Sequence, residues 1–379
     1  MSGVLAHPPT LDADNVARPM RIAIDANVLD GKWGGIPKYV HRIARELLER
    51  GDEIELLANT RRVHHQVPGA HEVGTRMKGI RLWREAFLPL WLARHRCDVL
   101  WAPESVLPRW SPAPTAVTVH DLASLRIPGI KSDEHVRDMQ TEVARSVRRA
   151  ARVIAVSQTT AADIEERFGL DAEKVCVVPN GVDDEFVPGD RETARQAVRE
   201  RWGITTPFVL HVGALEPRKG LDVLIEAAAL ASSDGAPWRV ALAGMPGFEG
   251  ERIEAAARAS GACDLLGWVS DPELLDLLRA ADALAAPALY EGFGIAPLEA
   301  MACGTPAVIA AESGGLEEIS GPAAIVVGER SPQAWRNCLE RALTRPPDLI
   351  ERGLAHAAGF RWSAVAAQTR AVLAEAAAR

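Results

Sequence analysis

Residues 289–310 read LYEGFGIAPLEAMACGTPAVIA. Glu291 and Glu299 stand eight residues apart around a Gly292-Phe293-Gly294 turn, ahead of small residues, a Thr305-Pro306 break and the apolar run PAVIA. Pro297 suits a first helical turn, which puts Glu299 near the start of a helix and Glu291 in the loop before it. A Gly-x-Gly turn lets main chain come close to a partner that is not protein. Loop, helix and short apolar strand together make half of a βαβ unit, in which helices cover a parallel sheet and ligands sit beyond the carboxyl ends of the strands.

The same alternation runs outward in both directions. RIAIDANV (21–28) reads as a first strand. GIPKYVHRIARELLERG (35–51) follows as a helix, with Ile36, Val40, Ile43 and Leu47 as its apolar stripe and Gly51 closing it. EIELLA, DVLWAP, AVTVHD, VIAVS and VCVVP complete one series by residue 179; FVLHVG (208–213), RVALAG, ALAAP, PAVIA and AAIVV form another. PNGVDDEFVPGDRE (179–192) between them is rich in turn formers and reads as a linker, and SAVAAQTRAVLAEAAAR closes the chain as a helix. The expected fold is α/β: two doubly wound domains facing a central cleft. A tail covers 1–19, the first domain 20–187 and the second 188–362.

Bulk properties narrow the function. A chain of 379 residues is long for one core. A net charge of −8 argues against a nucleic-acid partner. The five cysteines are scattered without a Cys-x-x-Cys pair, which fits a reducing, cytoplasmic setting. No apolar run has the length of a membrane span, and MSGVLAHPPTLDADNVARP at the start lacks the apolar centre of a signal peptide.

Three further motifs fall at strand ends. WGGIP (33–37) places Gly34 and Gly35 before a helix, where bare amides suit a polar ligand or simply make a turn. It is neither a dinucleotide fingerprint nor a Walker loop. In HVGALEPRKGLDVLIEA (211–227), Gly213 precedes Arg218 and Lys219, a cation pair suited to a diphosphate or to a solvated loop. ESGGLEEI (312–319) repeats the double glycine, with Gly315 and Leu316 opening a helix. Glu299 suits vicinal hydroxyls of a sugar or merely a positive helix end, worth about 0.3–1 kcal/mol. His120, ending TVHD, is by itself more often a packed residue than a functional one. No metal site is expected: Asp12-Ala13-Asp14 lies in the tail and His64-His65 in a loop.

Taken together, Glu291-x7-Glu299 within EGFGIAPLEAMACGTPAV, VGALEPRKG before it, SGGLEEI after it, and IDAN, GGIPKYV, TVHDLA, AVSQTTAADI and VPNGVD in the first half resemble the retaining nucleotide-sugar glycosyltransferases of family 4. The resemblance implies the GT-B fold, two Rossmann-like domains with the C-terminal helix (363–379) crossing back to the first. It implies a sugar-nucleotide donor in the second domain, with Glu299 on the ribose, Arg218 and Lys219 on the diphosphate, and Glu291 on hydroxyls of the transferred sugar. Gly213, Gly292, Phe293 and the amides of Gly294–Ile295 and Gly315–Leu316 would border the donor. His120 would lie near its sugar, with Gly34 and Gly35 lining the cleft on the acceptor side. Many relatives carry Arg where this chain has Ala214, so Arg218 is expected to supply that charge. The implied reaction is a same-face hexosyl transfer without cofactor or metal, to a glycan, a lipid-linked glycan or a small molecule. GDP-mannose is the expected donor and a UDP-sugar the alternative; a nucleotide-sugar-binding protein without turnover is the rival class.

The stretch RMKGIRLWREAFLPLWLARHR (76–96) combines Trp83, Phe87, Leu90 and Trp91 at helical spacing with Arg76, Lys78, Arg81, Arg84, Arg94 and Arg96. It is a candidate for peripheral contact with an anionic membrane at its inner face, or a helix packed under the sheet with wet arginines.

Overall fold

A computed structural model describes residues 18–379, so the expected N-terminal tail, with Asp12-Ala13-Asp14, lies almost wholly outside the described residues. Seven strands form the first sheet: β1 (Arg21–Asp25), β2 (Glu53–Ala58), β3 (His71–Gly74), β4 (Val99–Ala102), β5 (Thr115–Val119), β6 (Arg152–Ala155) and β7 (Val175–Val177), in the order β3-β2-β1-β4-β5-β6-β7. Six form the second: β8 (Phe208–Val212), β9 (Arg239–Ala243), β10 (Cys263–Gly267), β11 (Ala283–Ala286), β12 (Ala307–Ala310) and β13 (Ile325–Val327), in the order β10-β9-β8-β11-β12-β13. Every pairing is parallel.

The central strands are buried on both faces, which is why they read as unbroken apolar runs. Residues 22–24 of β1 and 209–210 of β8 are fully buried. β3 and β10 escape that pattern. Both are edge strands, and HEVG and CDLLG remain half-buried or exposed along their lengths. The first strand also stops at Asp25, three residues short of the sequence expectation, and Asn27–Asp30 winds into a single 3-10 turn.

The helix Gly35–Glu49 buries Val40, Ile43, Ala44 and Leu47. Against it packs the terminal helix Trp362–Ala377, which also touches β4, β5 and β6 and so returns the end of the chain to the first lobe. The chain therefore passes between the lobes twice. The crossings are paired with each other: Val182 N–H donates to the Phe360 carbonyl at 2.9 Å, and Gly181 sits where a Cβ would strike the Trp362 ring.

Residues 80–95 are helical with a π turn at Trp83–Phe87. Trp83 and Trp91 are buried, as a packed stripe requires, but Leu90 is 53% exposed and does not belong to that stripe.

Each sheet reverses its winding once, between β1 and β4 in the first lobe and between β8 and β11 in the second. Loops leaving those neighbouring strands diverge to opposite faces and leave a crevice, the usual place for a ligand in an open α/β sheet.

Candidate active site

In the second lobe the crevice lies between the loops that leave β8 and β11. The first contains a single 3-10 turn, Pro217–Lys219; the second contains Glu291. They are stitched together by Leu289 N–H donating to the Arg218 carbonyl at 2.8 Å. Arg218 Nη1 donates to Glu291 Oε2 at 2.9 Å, and Lys219 Nζ donates to Glu291 Oε1. Arg218 also donates from Nε to Glu216 at 3.1 Å, and Lys131 of the first lobe reaches the same Glu216 at 3.0 Å. Burial drives the Glu291 carboxyl upward, but Lys219 and Arg218 outweigh it and hold the group below the ordinary carboxylate range. Burial likewise opposes the Arg218 charge, and Glu291, Asp121 and Glu216 more than restore it.

Two helices begin beside this cluster, Ile295–Ala302 and Gly315–Ser320. Gly294 (φ 78) and Gly314 (φ 70) precede them in the left-handed region, where glycine costs least. Gly315 N–H donates to the Glu291 carbonyl at 2.8 Å, so its amide is engaged by the chain itself. Leu316 is fully buried against Ala288 and Ile309 and has only its backbone to offer a ligand. Phe293 is also buried, edge-on to Phe360 at 6.1 Å; its side chain belongs to the core. Gly292 is pressed against the first lobe, where an added Cβ would collide with the His120 carbonyl. It is a seam between the lobes. Gly213, with an added Cβ 3.3 Å from Lys219 Nζ, lies under the lysine.

His120 follows β5. Its Nε2 lies 2.9 Å from the Pro103 carbonyl, which can only accept, so that nitrogen carries the proton. Tyr39 meets the ring edge-on at 4.9 Å. Burial pushes the imidazole down to about 4, so it is neutral near pH 7 and Nδ1 is a lone-pair acceptor.

Glu299 occupies a different environment. Its nearest charged partner is Lys38, on the helix that begins at Gly35, at 3.8 Å. Lys38 also pairs with Asp271 at 3.2 Å and Asp183 at 3.5 Å. Burial first, then the charges of Asp183 and Asp271, push the Glu299 carboxyl up to about 7 despite Lys38. Gly34 accepts from the Lys38 N–H at 3.0 Å and has an extended backbone (φ −175) that any residue adopts. Gly35 faces open space.

Asp271 continues the site outward. Trp33 Nε1 donates to its second oxygen at 2.8 Å, and Trp33, His41, His65, Trp268, Ser270 and Asp271 border an open cleft of about 460 Å³ between the lobes.

The residues singled out from sequence thus form two groups. Arg218, Lys219, Glu291 and Gly315 meet directly, with His120 joined to them through Gly292. Glu299 stands with Lys38, Asp183 and Asp271. The last three, and His211, were not anticipated. His211 is buried beneath Gly213; its Nδ1 donates to the Ala285 carbonyl at 3.0 Å, its Nε2 has no hydrogen-bond partner among the described residues, and burial lowers it to about 4. A histidine inside the apolar run FVLHV was the one available signal.

Comparison with known proteins gives this geometry a family. Residues 33–186 match the family described as Glycosyltransferase Family 4, and residues 194–353 match Glycosyl transferases group 1. The D-inositol 3-phosphate glycosyltransferase of Geodermatophilus obscurus is 31% identical, over 94% of this chain and 90% of that protein. Its counterpart in Salinispora tropica is 32% identical, over 88% of this chain and 79% of that one. Among solved structures, sucrose-phosphate synthase from Thermosynechococcus elongatus superposes with a TM-score of 0.76 at 21% identity, covering 93% of this chain and 98% of that one. Anabaena HepE in complex with UDP-glucose gives 0.75 at 22%, covering 94% and 99%. Sheet order, paired crossings and sequence agree: this chain belongs to the glycosyltransferases of the group 1 and family 4 type, enzymes with the two-lobed GT-B architecture.

Proposed function

We propose that the enzyme moves a hexose, with retention at the anomeric carbon, from a nucleoside diphosphate sugar to a hydroxyl of a glycan, a lipid-linked glycan or a small molecule. The observation that carries this reading is the Arg218–Glu291–Lys219 cluster at the β8/β11 crevice. Breaking the bond between the anomeric carbon and phosphate oxygen puts negative charge on the departing diphosphate. Arg218 and Lys219 are already in place to receive it, with Glu291 as their counter-ion until the donor arrives. Such preset charge stabilises a transition state most where water is excluded. In this reading Glu291, released from the cations, accepts from hydroxyls of the sugar, and neutral His120 accepts another at Nδ1. The acceptor hydroxyl attacks on the face the phosphate leaves and passes its proton to that phosphate. Neutralisation falls to the two side chains, and the reaction is proposed to proceed without a metal.

Glu299 is proposed to grip the ribose, which puts the base in the Trp33–Trp268 cleft next door, where flat aromatic walls suit a planar ring. The LEPRKG run and the GGIPKYV opening support GDP-mannose. A UDP-hexose is the second reading, favoured by the UDP-glucose in the HepE complex. The names of the curated relatives add a phosphorylated polyol to the candidate acceptors. A thermal-shift panel of sugar nucleotides separates these donors. A ligand at 100 times its dissociation constant stabilises by about 2.7 kcal/mol. A GDP-selective shift supports mannose, a UDP-selective one supports the second reading, and no shift with any sugar nucleotide overturns both.

The segment 76–96 is proposed as a membrane-facing edge. Ile80, Leu82 and Leu90 are exposed beside Lys78, Arg81 and Arg94, and exposed Trp110 adjoins Arg109, whose N–H donates to Glu85 of that segment at 2.7 Å. Among the described residues no helix is long and apolar enough to cross a membrane. Co-sedimentation with vesicles should rise with their anionic lipid content; binding indifferent to that content removes the proposal.

A further inference from the structure

Lys38 is an unusual residue to bury. Its side chain is 8% exposed, on a helix whose other inward residues are apolar or aromatic, and its ammonium lies 5.3 Å from the centre of the Phe186 ring. A lysine held there needs counter-charge. It has three carboxylates, each from a different part of the chain: Asp183 from the crossing segment, and Asp271 and Glu299 from two helices of the second lobe.

The three are not equivalent. Asp183 is already served by Arg42, at 2.8 and 2.9 Å, and by Trp362 Nε1 at 2.6 Å. Asp271 has Trp33 Nε1 at 2.8 Å. Glu299, 4% exposed, has Lys38 as its only ion-pair partner among the described residues. Arg42 also reaches the exposed Glu185 at 3.7 Å, so four carboxylates share two cations, Lys38 and Arg42. The surplus negative charge falls on the member least well served.

We propose that Lys38 is a positioning residue for the donor, supplied by the first lobe: its ammonium, clamped against Asp271 and Glu299, keeps Glu299 an ionised acceptor for the ribose diol and makes that site complete only when the lobes are together. This rests on the reading of Glu299 as the ribose partner. A carboxylate accepts from both hydroxyls of a diol, whereas a protonated carboxyl must give up one acceptor position. The charged groups facing Glu299 are Lys38 on helix 35–49, Asp183 on the crossing segment and Asp271 at the start of helix 271–280; Lys38 favours the ionised form, and both aspartates oppose it.

The opposed signs provide the test. In steady-state assays with the sugar nucleotide identified by the thermal panel, donor KM of the wild-type enzyme should rise as pH falls through about 7. Lys38→Met should raise donor KM about tenfold at pH 7, lower kcat less, and move that midpoint upward. Asp271→Asn should move it downward, and Lys38→Arg should recover most of the lost affinity. A general loss of packing would not shift the midpoint in two directions. If Lys38→Met fails to fold, the direction for Asp271→Asn still decides. Wild-type KM and midpoint in both variants, while Glu299→Gln raises KM, overturn the role of Lys38 and leave the ribose reading standing. No change in Glu299→Gln overturns the ribose reading itself.

Discussion

Glu291 and Glu299 are the same residue type, eight positions apart, the first half-buried and the second buried, and held in opposite ways. Two cations reach Glu291 directly, at the mouth of one β-α loop, and its carboxyl is held low. Glu299 shares Lys38 with two other acids and is pushed up to about 7. Burial acts on both in the same direction, so it cannot be the source of the difference. The ratio of cations to carboxylates decides, and topology sets that ratio. Glu291 finds its cations in the loop that leaves the neighbouring strand of its own sheet. Glu299 faces the other lobe, and the lone lysine there must answer to several acids.

The largest effect is expected at the cation-rich end. Arg218→Ala removes one of the two charges proposed to meet the leaving diphosphate, and kcat/KM should fall by about 10²- to 10³-fold, read as acceptor-dependent release of nucleoside diphosphate. A variant within threefold of wild type would show that Lys219 alone suffices and would erase the contrast between the two carboxylates. A smaller effect is expected at the acid-rich end, in stability. The folded-state value of Glu299, about 7, lies above its ordinary 4.5. Its contribution to stability is therefore fully present below the unfolded value and is lost as pH rises through about 7. Glu299→Gln leaves Asp183 and Asp271 balanced by Lys38 and Arg42, and should raise Tm above pH 7 by a few degrees, about 1–2 kcal/mol, with little change at pH 5. A lower Tm at pH 8 would mean that the Lys38 pairing outweighs the crowding of acids.

The contrast also explains what the primary sequence discloses. Strands buried on both faces, such as FVLHV and AVIA, read as continuous apolar runs and are plain; HEVG and CDLLG, half-buried or exposed along their lengths, are not. Arg218, Lys219 and Glu291 are visible because each sits in a glycine-marked loop at a strand end, where local pattern and position coincide. Lys38, Asp183 and Asp271 are drawn together from three distant segments, and only the placement of one lobe against the other makes them neighbours. Lys38 is read locally as an ordinary polar position on an amphipathic helix, and Asp183 as a linker residue; the expectation of a seven-residue spacing had nothing to say about either. Phe293 and Leu316 are legible as motif positions, but the motif does not disclose that their side chains serve packing.

The paired crossings at Val182 and Phe360 carry a mechanical consequence. Two covalent connections lying side by side restrain sliding and drawing apart of the lobes far more than they restrain swivelling about the ribbon they share. Any opening of the lobes is then expected to follow a single angle, and contacts across the gap, from Gly292 against His120 to Lys38 against Glu299, are expected to part along that one coordinate.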